Sequence, residues 1–158
     1  MPNKYPIVLI VEDRPEVSLV WRRALEAYSE FGQIEIWAVD NLAHAKQRCL
    51  EIPPPDLILL DLRLTDSKDI ETLAAIEDLK RGNPDVCVLI ISGHLTEDLV
   101  KLAIESGAHG VQEKMGMTRS AELWSVINTA VQHAPPNAQK AIPYLANLIE
   151  KLSQTFII

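Results

Sequence analysis

The sequence predicts an α/β fold, a five-stranded parallel sheet wound on both faces by helices. Two observations predict it. Five short apolar runs recur along the chain: Ile7–Val11, Ile34–Val39, Leu57–Leu60, Val86–Ile91 and the weaker Gly110–Gln112. Several are rich in Val and Ile and nearly continuous, the pattern of strands covered on both faces. Amphipathic segments of helical period lie between them, so βα repeats five times and right-handed crossovers join parallel strands. A length of 158 residues suits one well-buried core rather than two.

The elements follow in order. In Pro15–Glu30, residues Val17, Val20, Trp21, Ala24, Leu25 and Tyr28 share one helical face, and Pro15 sits in the first turn, where its missing N–H costs little. Glu35 breaks the second apolar run once. Asn41 stands as N-cap of Leu42–Glu51, a helix stopped by Pro53, Pro54 and Pro55. Asp56 simply begins the third strand. Asp69–Arg81 ends at Gly82 with Pro84 beyond, a C-terminal signature. Thr96–Ser106 opens on Thr96 as N-cap and closes at Gly107, and Arg119–His133 is stopped by Pro135 and Pro136. Beyond them, Ala138–Phe156 sets Ile142, Leu145, Leu148, Ile149, Leu152 and Phe156 on one stripe, with Pro143 best placed in a first turn. The chain therefore divides into a domain over 1–133, a Pro-containing linker over 134–137 and an additional C-terminal amphipathic helix over 138–158.

Composition narrows the function. The chain is 47% hydrophobic and 23% charged, with a formal net charge of -7. An acidic chain without grouped Lys and Arg is poorly suited to nucleic acid. Cys49 and Cys87 match no metal spacing and lie in apolar segments, which points to free thiols in a reducing compartment. No secretory signal precedes the first strand, and no apolar run approaches a membrane span. The expectation is a cytoplasmic soluble protein with no membrane and no nucleic-acid partner.

In a doubly wound sheet, ligands bind outside the carboxyl ends of the strands. Strand one ends in Glu12 and Asp13, strand three in Asp61, strand four in Ser92 and Gly93, and strand five in Lys114. Three carboxylates, a hydroxyl and an ammonium thus converge on one edge. Clustered carboxylates repel, and all-oxygen ligation with waters suits Mg²⁺. A carboxylate can attack phosphorus to form an aspartyl-phosphate, with hydroxyl and ammonium stabilising the transferring oxygens. Taken singly, a strand-end Asp is more often a helix cap and a Lys more often a solvated charge. The signal is joint, because each of four strand ends carries the residue type this chemistry needs.

These residues resemble the receiver domain of bacterial two-component response regulators, over roughly Tyr5 to His133. The motifs are the acidic pair in "LIVEDRPE", the Asp in "DLILLDLRLTDS", the hydroxyl in "LIISGH" and the Lys in "GAHGVQEK". The resemblance implies a flavodoxin-like (βα)5 fold with strand order 2-1-3-4-5. It makes Asp61 the phosphoacceptor, with Glu12, Asp13 and Asp61 as Mg²⁺ ligands joined by the Arg63 backbone carbonyl. Ser92 becomes the switch hydroxyl and Lys114 the phosphoryl contact. A sensor histidine kinase or phosphotransfer protein is the implied donor. Three departures stand out. Val111 replaces the aromatic residue usual midway along strand five, which removes a rotating-aromatic relay. Met115 replaces the Pro usual after the lysine, and a cis bond there would cost about 2.5–4 kcal/mol, so trans geometry is expected. Arg63 and His94 flank the site, and their bulk is expected to slow attack by water on the phosphoryl group.

The tail carries Lys140, Glu150 and Lys151 as its only charged side chains, so no DNA-binding output domain fits after the Pro-Pro break. The chain reads as a stand-alone receiver or one cut from a longer regulator. Its final helix must bury an apolar stripe. The spacer favours a homodimer over packing within the domain, and the lack of flanking cations disfavours a membrane surface. Other functions compete with phosphoacceptor signalling. A phosphorylation-independent pseudo-receiver, acting by interaction or dimerisation, remains open through Val111 and Met115. A haloacid dehalogenase-like hydrolase wants a second Asp where Arg63 stands. A nucleotide or flavin binder wants a Gly-rich loop after strand one, which is missing.

Overall fold

In the computed structural model of the chain, residues 6–27, 34–93 and 95–113 are described. They form β1 (Ile7–Val11), α1 (Pro15–Ala27), β2 (Glu35–Val39), α2 (Leu42–Cys49), β3 (Leu57–Leu60), α3 (Asp69–Ala74), α4 (Ile76–Leu79), β4 (Cys87–Ser92), α5 (Glu97–Glu105) and β5 (Gly110–Glu113). The strands make one parallel sheet in the order β2-β1-β3-β4-β5, as expected. Among the described residues, no helix is long and apolar enough to cross a membrane. The expected helices Arg119–His133 and Ala138–Phe156, the linker between them, His94, Lys114 and Met115 with its trans bond, and the homodimer role lie outside the described residues.

Every residue of β1, β3 and β4 is buried. These are the near-continuous runs IVLIV, LILL and CVLIIS, and their lack of alternation is what two covered faces require. β2 departs from that pattern. It is an edge strand whose residues are exposed or half-buried, and Trp37 keeps 36% of its surface. Pairing with β1 satisfies one side only, and the Arg22 guanidinium reaches across from α1 to donate to the Ile36 carbonyl at 3.3 Å. A charged side chain over an open edge also discourages pairing with another chain.

α1 buries a narrower stripe than its sequence suggests. Trp21 and Leu25, one turn apart, are fully buried, whereas Val20 is 43% exposed. Val20 precedes Trp21 by one residue, about 100° around the axis, which carries it off the face that meets the sheet. The segment expected as one helix over Asp69–Arg81 is two, α3 and α4, separated at Ala75. The one proton of the Thr72 hydroxyl goes to the Leu62 carbonyl at 2.7 Å, outside the helix, and its oxygen also lies 3.0 Å from the Lys68 carbonyl. The Ala75 N–H is shared between the carbonyls of Glu71 and Thr72, each at 3.1 Å.

Capping matches the sequence more closely. Asn41 Oδ1 accepts from the His44 N–H at 2.8 Å, and Thr96 Oγ1 from the Leu99 N–H at 3.2 Å. α5 closes at Gly107, whose φ of 107° only glycine adopts freely. α2 ends two residues early, at Cys49. Gly82 has no left-handed φ; a Cβ there would stand 2.2 Å from the Cys49 carbonyl oxygen, so glycine is needed for close approach to the end of α2.

Asp56 does more than begin β3. Its Oδ2 accepts from the Ile7 N–H at 2.9 Å, and its backbone bonds Ile7 on one side and Cys87 on the other. It ties the amino ends of β1, β3 and β4 together. Burial raises its pKa, offset in part by the Ile7 bond. Cys49 and Cys87 are buried free thiols, and burial pushes their pKa values up to about 11 and about 12.

Candidate functional site

Sheet register sets the site. Val11 aligns with Leu60, and Leu60 with Ile90, so β1 and β3 run out at one level while β4 continues two residues further, to Ser92. β1 lies between β2 and β3, which makes the crevice at the carboxyl ends of β1 and β3 the point where strand order reverses. Backbone bonding continues one residue beyond the strands. The Glu12 N–H donates to the Val39 carbonyl at 3.1 Å and the Asp61 N–H to the Val11 carbonyl at 3.0 Å. Both acids are thus held rigidly in the crevice, Glu12 only 2% and Asp61 3% exposed.

Glu12, Asp13 and Asp61 each offer a carboxylate oxygen, and these oxygens all lie within 4.8 Å of one another. Nothing in a hydrophobic core accounts for three acids at that separation. Neighbouring amides brace two of them: the Arg14 N–H donates to Glu12 Oε1 at 3.1 Å and the Arg63 N–H to Asp61 Oδ1 at 3.3 Å. Such a set of oxygen donors fits a hard divalent cation. Ser92, the last residue of β4, is buried and aligns with Glu113 of β5. Of the residues the sequence singled out, Glu12, Asp13 and Asp61 are brought together, and Ser92 lies at the end of the neighbouring strand β4. Arg63 stands two residues beyond Asp61.

Several supporting residues were not foreseen. The loop after Asp61 folds back through an antiparallel bridge between Leu64 and Ser67. Thr72 fastens this loop, donating to the Leu62 carbonyl at 2.7 Å, with Ser67 Oγ 2.7 Å from its hydroxyl. Asp66 then caps α2 from across the crevice, accepting from the Leu42 N–H at 2.8 Å and the Ala43 N–H at 3.0 Å. Desolvation raises the Asp66 pKa, but those two amides, its own backbone N–H and the nearby His44 together outweigh it and hold the carboxyl below its ordinary value. The polar run "TDSKD" was the available signal, yet its spacing names no partner. Val111 is half-buried against the core and borders an open hollow of about 620 Å³ with Leu95 and Val100.

Comparison with known proteins agrees with this geometry. A family model described as the response regulator receiver domain matches residues 8–127. The chain is 33% identical over 107 residues to the nitrogen assimilation regulatory protein NtrX of Azorhizobium caulinodans, covering 68% of this chain and 22% of that protein. It therefore spans about a fifth of that relative's length. A response regulator from Thermotoga maritima shares the fold over 81% of this chain and 98% of its own, with TM-score 0.66 and 21% identity. The Mn²⁺-bound form of response regulator Rcp1 does so over 77% and 94%, with TM-score 0.64 and 22% identity. On the matched residues and the shared fold, the chain belongs to the response regulator receiver domain family.

Proposed function

We propose that the chain is a phosphoacceptor signalling module of a two-component phosphorelay, acting in the cytoplasm and read out through protein contacts. The single observation that carries the reading is the meeting of the Glu12, Asp13 and Asp61 oxygens within 4.8 Å at the reversal point of the sheet. Asp61 is the nucleophile. One of its oxygens attacks the phosphorus of a phosphohistidine on a sensor histidine kinase or phosphotransfer protein. The P–N bond breaks with its electron pair left on the imidazole, and an aspartyl-phosphate forms.

Glu12, Asp13, Asp61 and the Arg63 backbone carbonyl would hold Mg²⁺, which when bound neutralises the acids and the phosphoryl oxygens. The manganese in the Rcp1 neighbour supports a divalent cation at such a site. The chain's own contribution is positional. The Arg63 N–H on Oδ1 orients the Asp61 carboxylate, and burial excludes competing water. Ser92 turns its hydroxyl onto the phosphoryl group, and Lys114 adds a cation. The module carries a phosphoryl group through self-catalysed gain and loss and does not act as a turnover enzyme.

Acetyl phosphate with Mg²⁺ tests the reading by intact mass. The wild type is expected to gain one phosphoryl group. A Glu12→Gln, Asp13→Asn double variant is expected to keep its circular dichroism spectrum and gain none. Normal labelling of the double variant would refute the role assigned to the two acids.

A further inference from the structure

A closed circuit of hydrogen bonds joins the carboxyl ends of β1, β2 and β3. The Glu12 N–H donates to the Val39 carbonyl, and Asp40 and Asn41 lead on from there to Leu42, the first residue of α2. The Leu42 N–H donates to Asp66 Oδ1 at 2.8 Å and the Ala43 N–H to Asp66 Oδ2 at 3.0 Å. Asp66 leads back along its loop to Arg63, whose N–H donates to Asp61 Oδ1 at 3.3 Å. The Asp61 N–H donates to the Val11 carbonyl, and Val11 adjoins Glu12. Only two side chains make links in this circuit: Asp61, itself assigned to the cation, and Asp66, which is not.

The bonds at Asp66 tie an exposed element to a fixed one. Leu42, Ala45 and Cys49 root α2 in the core, whereas Arg63, Thr65, Asp66 and Lys68 are exposed. Thr72 and the Leu64–Ser67 bridge fold the loop on itself and onto α3. Among the described residues, Asp66 makes the only hydrogen bonds between that loop and α2. Both oxygens of its carboxylate are used, each on a separate amide, and the charge lies at the positive end of the helix. Removing this one side chain therefore opens the circuit without touching a residue assigned to the cation.

We infer that Asp66 is a positioning residue for the cation site, tethering to α2 the loop that carries the Arg63 carbonyl. The inference rests on the reading of Glu12, Asp13, Asp61 and that carbonyl as the ligand set. Mg²⁺ demands near-ideal octahedral geometry, so an oxygen donor on an untethered loop serves it poorly. Residues that hold ligands in place without touching the metal commonly govern its affinity by roughly 10–100-fold. The coupling is reciprocal: a cation that binds the tethered loop better strengthens the tether by the same factor.

The test titrates Mg²⁺ into the purified chain by calorimetry, with no phosphodonor present. Wild type, Asp66→Ala, Asp66→Asn and Asn41→Ala are compared. Asn41 is the control, because it accepts from the His44 N–H at 2.8 Å and its loss weakens the start of α2 without untying the loop. Asp66→Ala is expected to bind Mg²⁺ roughly tenfold more weakly. Asp66→Asn keeps an oxygen for one of the two amides and should fall between that variant and wild type, and Asn41→Ala should bind as wild type does. In wild type, saturating Mg²⁺ should slow hydrogen exchange at the Leu42 and Ala43 amides by about the same factor. An unchanged affinity in Asp66→Ala overturns the inference. An equal loss in Asn41→Ala also overturns it, since the helix start and not the tether would then be responsible. Should Asp66→Ala fail to fold, exchange at Leu42 and Ala43 in wild type decides, and indifference to Mg²⁺ there overturns the inference. If wild type binds no Mg²⁺ at all, the reading of the acids fails and this inference falls with it. If wild type binds and Asp66→Ala binds equally, the inference alone falls.

Discussion

Replacing Asp61 with Asn should stabilise the cation-free protein. Asn keeps the shape of Asp and an oxygen for the Arg63 N–H, but removes one of three charges whose oxygens lie within 4.8 Å of one another. Two unit charges 4.8 Å apart repel by about 3.5 kcal/mol at an effective dielectric constant of ~20. The amide bonds to Glu12 and Asp61 and the partial exposure of Asp13 offset part of this. The expected net gain is about 1–3 kcal/mol, which for a chain of this size raises Tm by about 5 °C. Thermal unfolding followed by circular dichroism, with EDTA and then with millimolar Mg²⁺, is the assay. In EDTA the variant should melt above wild type. Mg²⁺ binds the folded wild type and stabilises it by mass action, so the gap should close or reverse. A variant that melts with or below wild type in EDTA would refute the repulsion. A gap indifferent to Mg²⁺ would refute the shared cation.

Other consequences follow from the supporting structure. Thr72→Val removes the hydroxyl that braces Leu62, Lys68 and Ser67, and should lower the urea unfolding free energy by about 1–3 kcal/mol. His109 accepts the Val88 N–H on Nδ1 at 3.0 Å, and burial first, then the Lys80 charge, push its pKa down to about 4. A lowered histidine pKa means the contribution is complete above about 6.5, the unfolded value, and is lost as pH falls from there towards 4. The urea midpoint should drop across that window in wild type and less steeply in His109→Asn. Cys49 and Cys87 should ignore a disulfide reagent at pH 8 in the native protein and react only on unfolding, since burial keeps both protonated and shielded.

How much of this was legible follows from what each residue touches. Glu12, Asp13 and Asp61 were readable because each interrupts an apolar run, and a parallel sheet must bring such interruptions to one edge. Asn41 and Thr96 were readable because a cap bonds its own helix, two or three residues away. Asp66, Ser67 and Thr72 were not, because their partners lie across a turn or in another element: Asp66 caps α2 from 24 residues away. The exposure of Val20 and of β2 depends on where the sheet ends. Strand order decides that, and local periodicity does not record it.

The central claim is that Asp61 carries the phosphoryl group, and the most direct measurement identifies the modified residue chemically. The chain is labelled with acetyl phosphate and Mg²⁺, reduced with borohydride and mapped by peptide mass spectrometry. Borohydride converts an aspartyl-phosphate to homoserine. Homoserine at position 61 and nowhere else is the predicted result. Homoserine at another acid, or none at 61 after the intact mass has risen, would contradict the account.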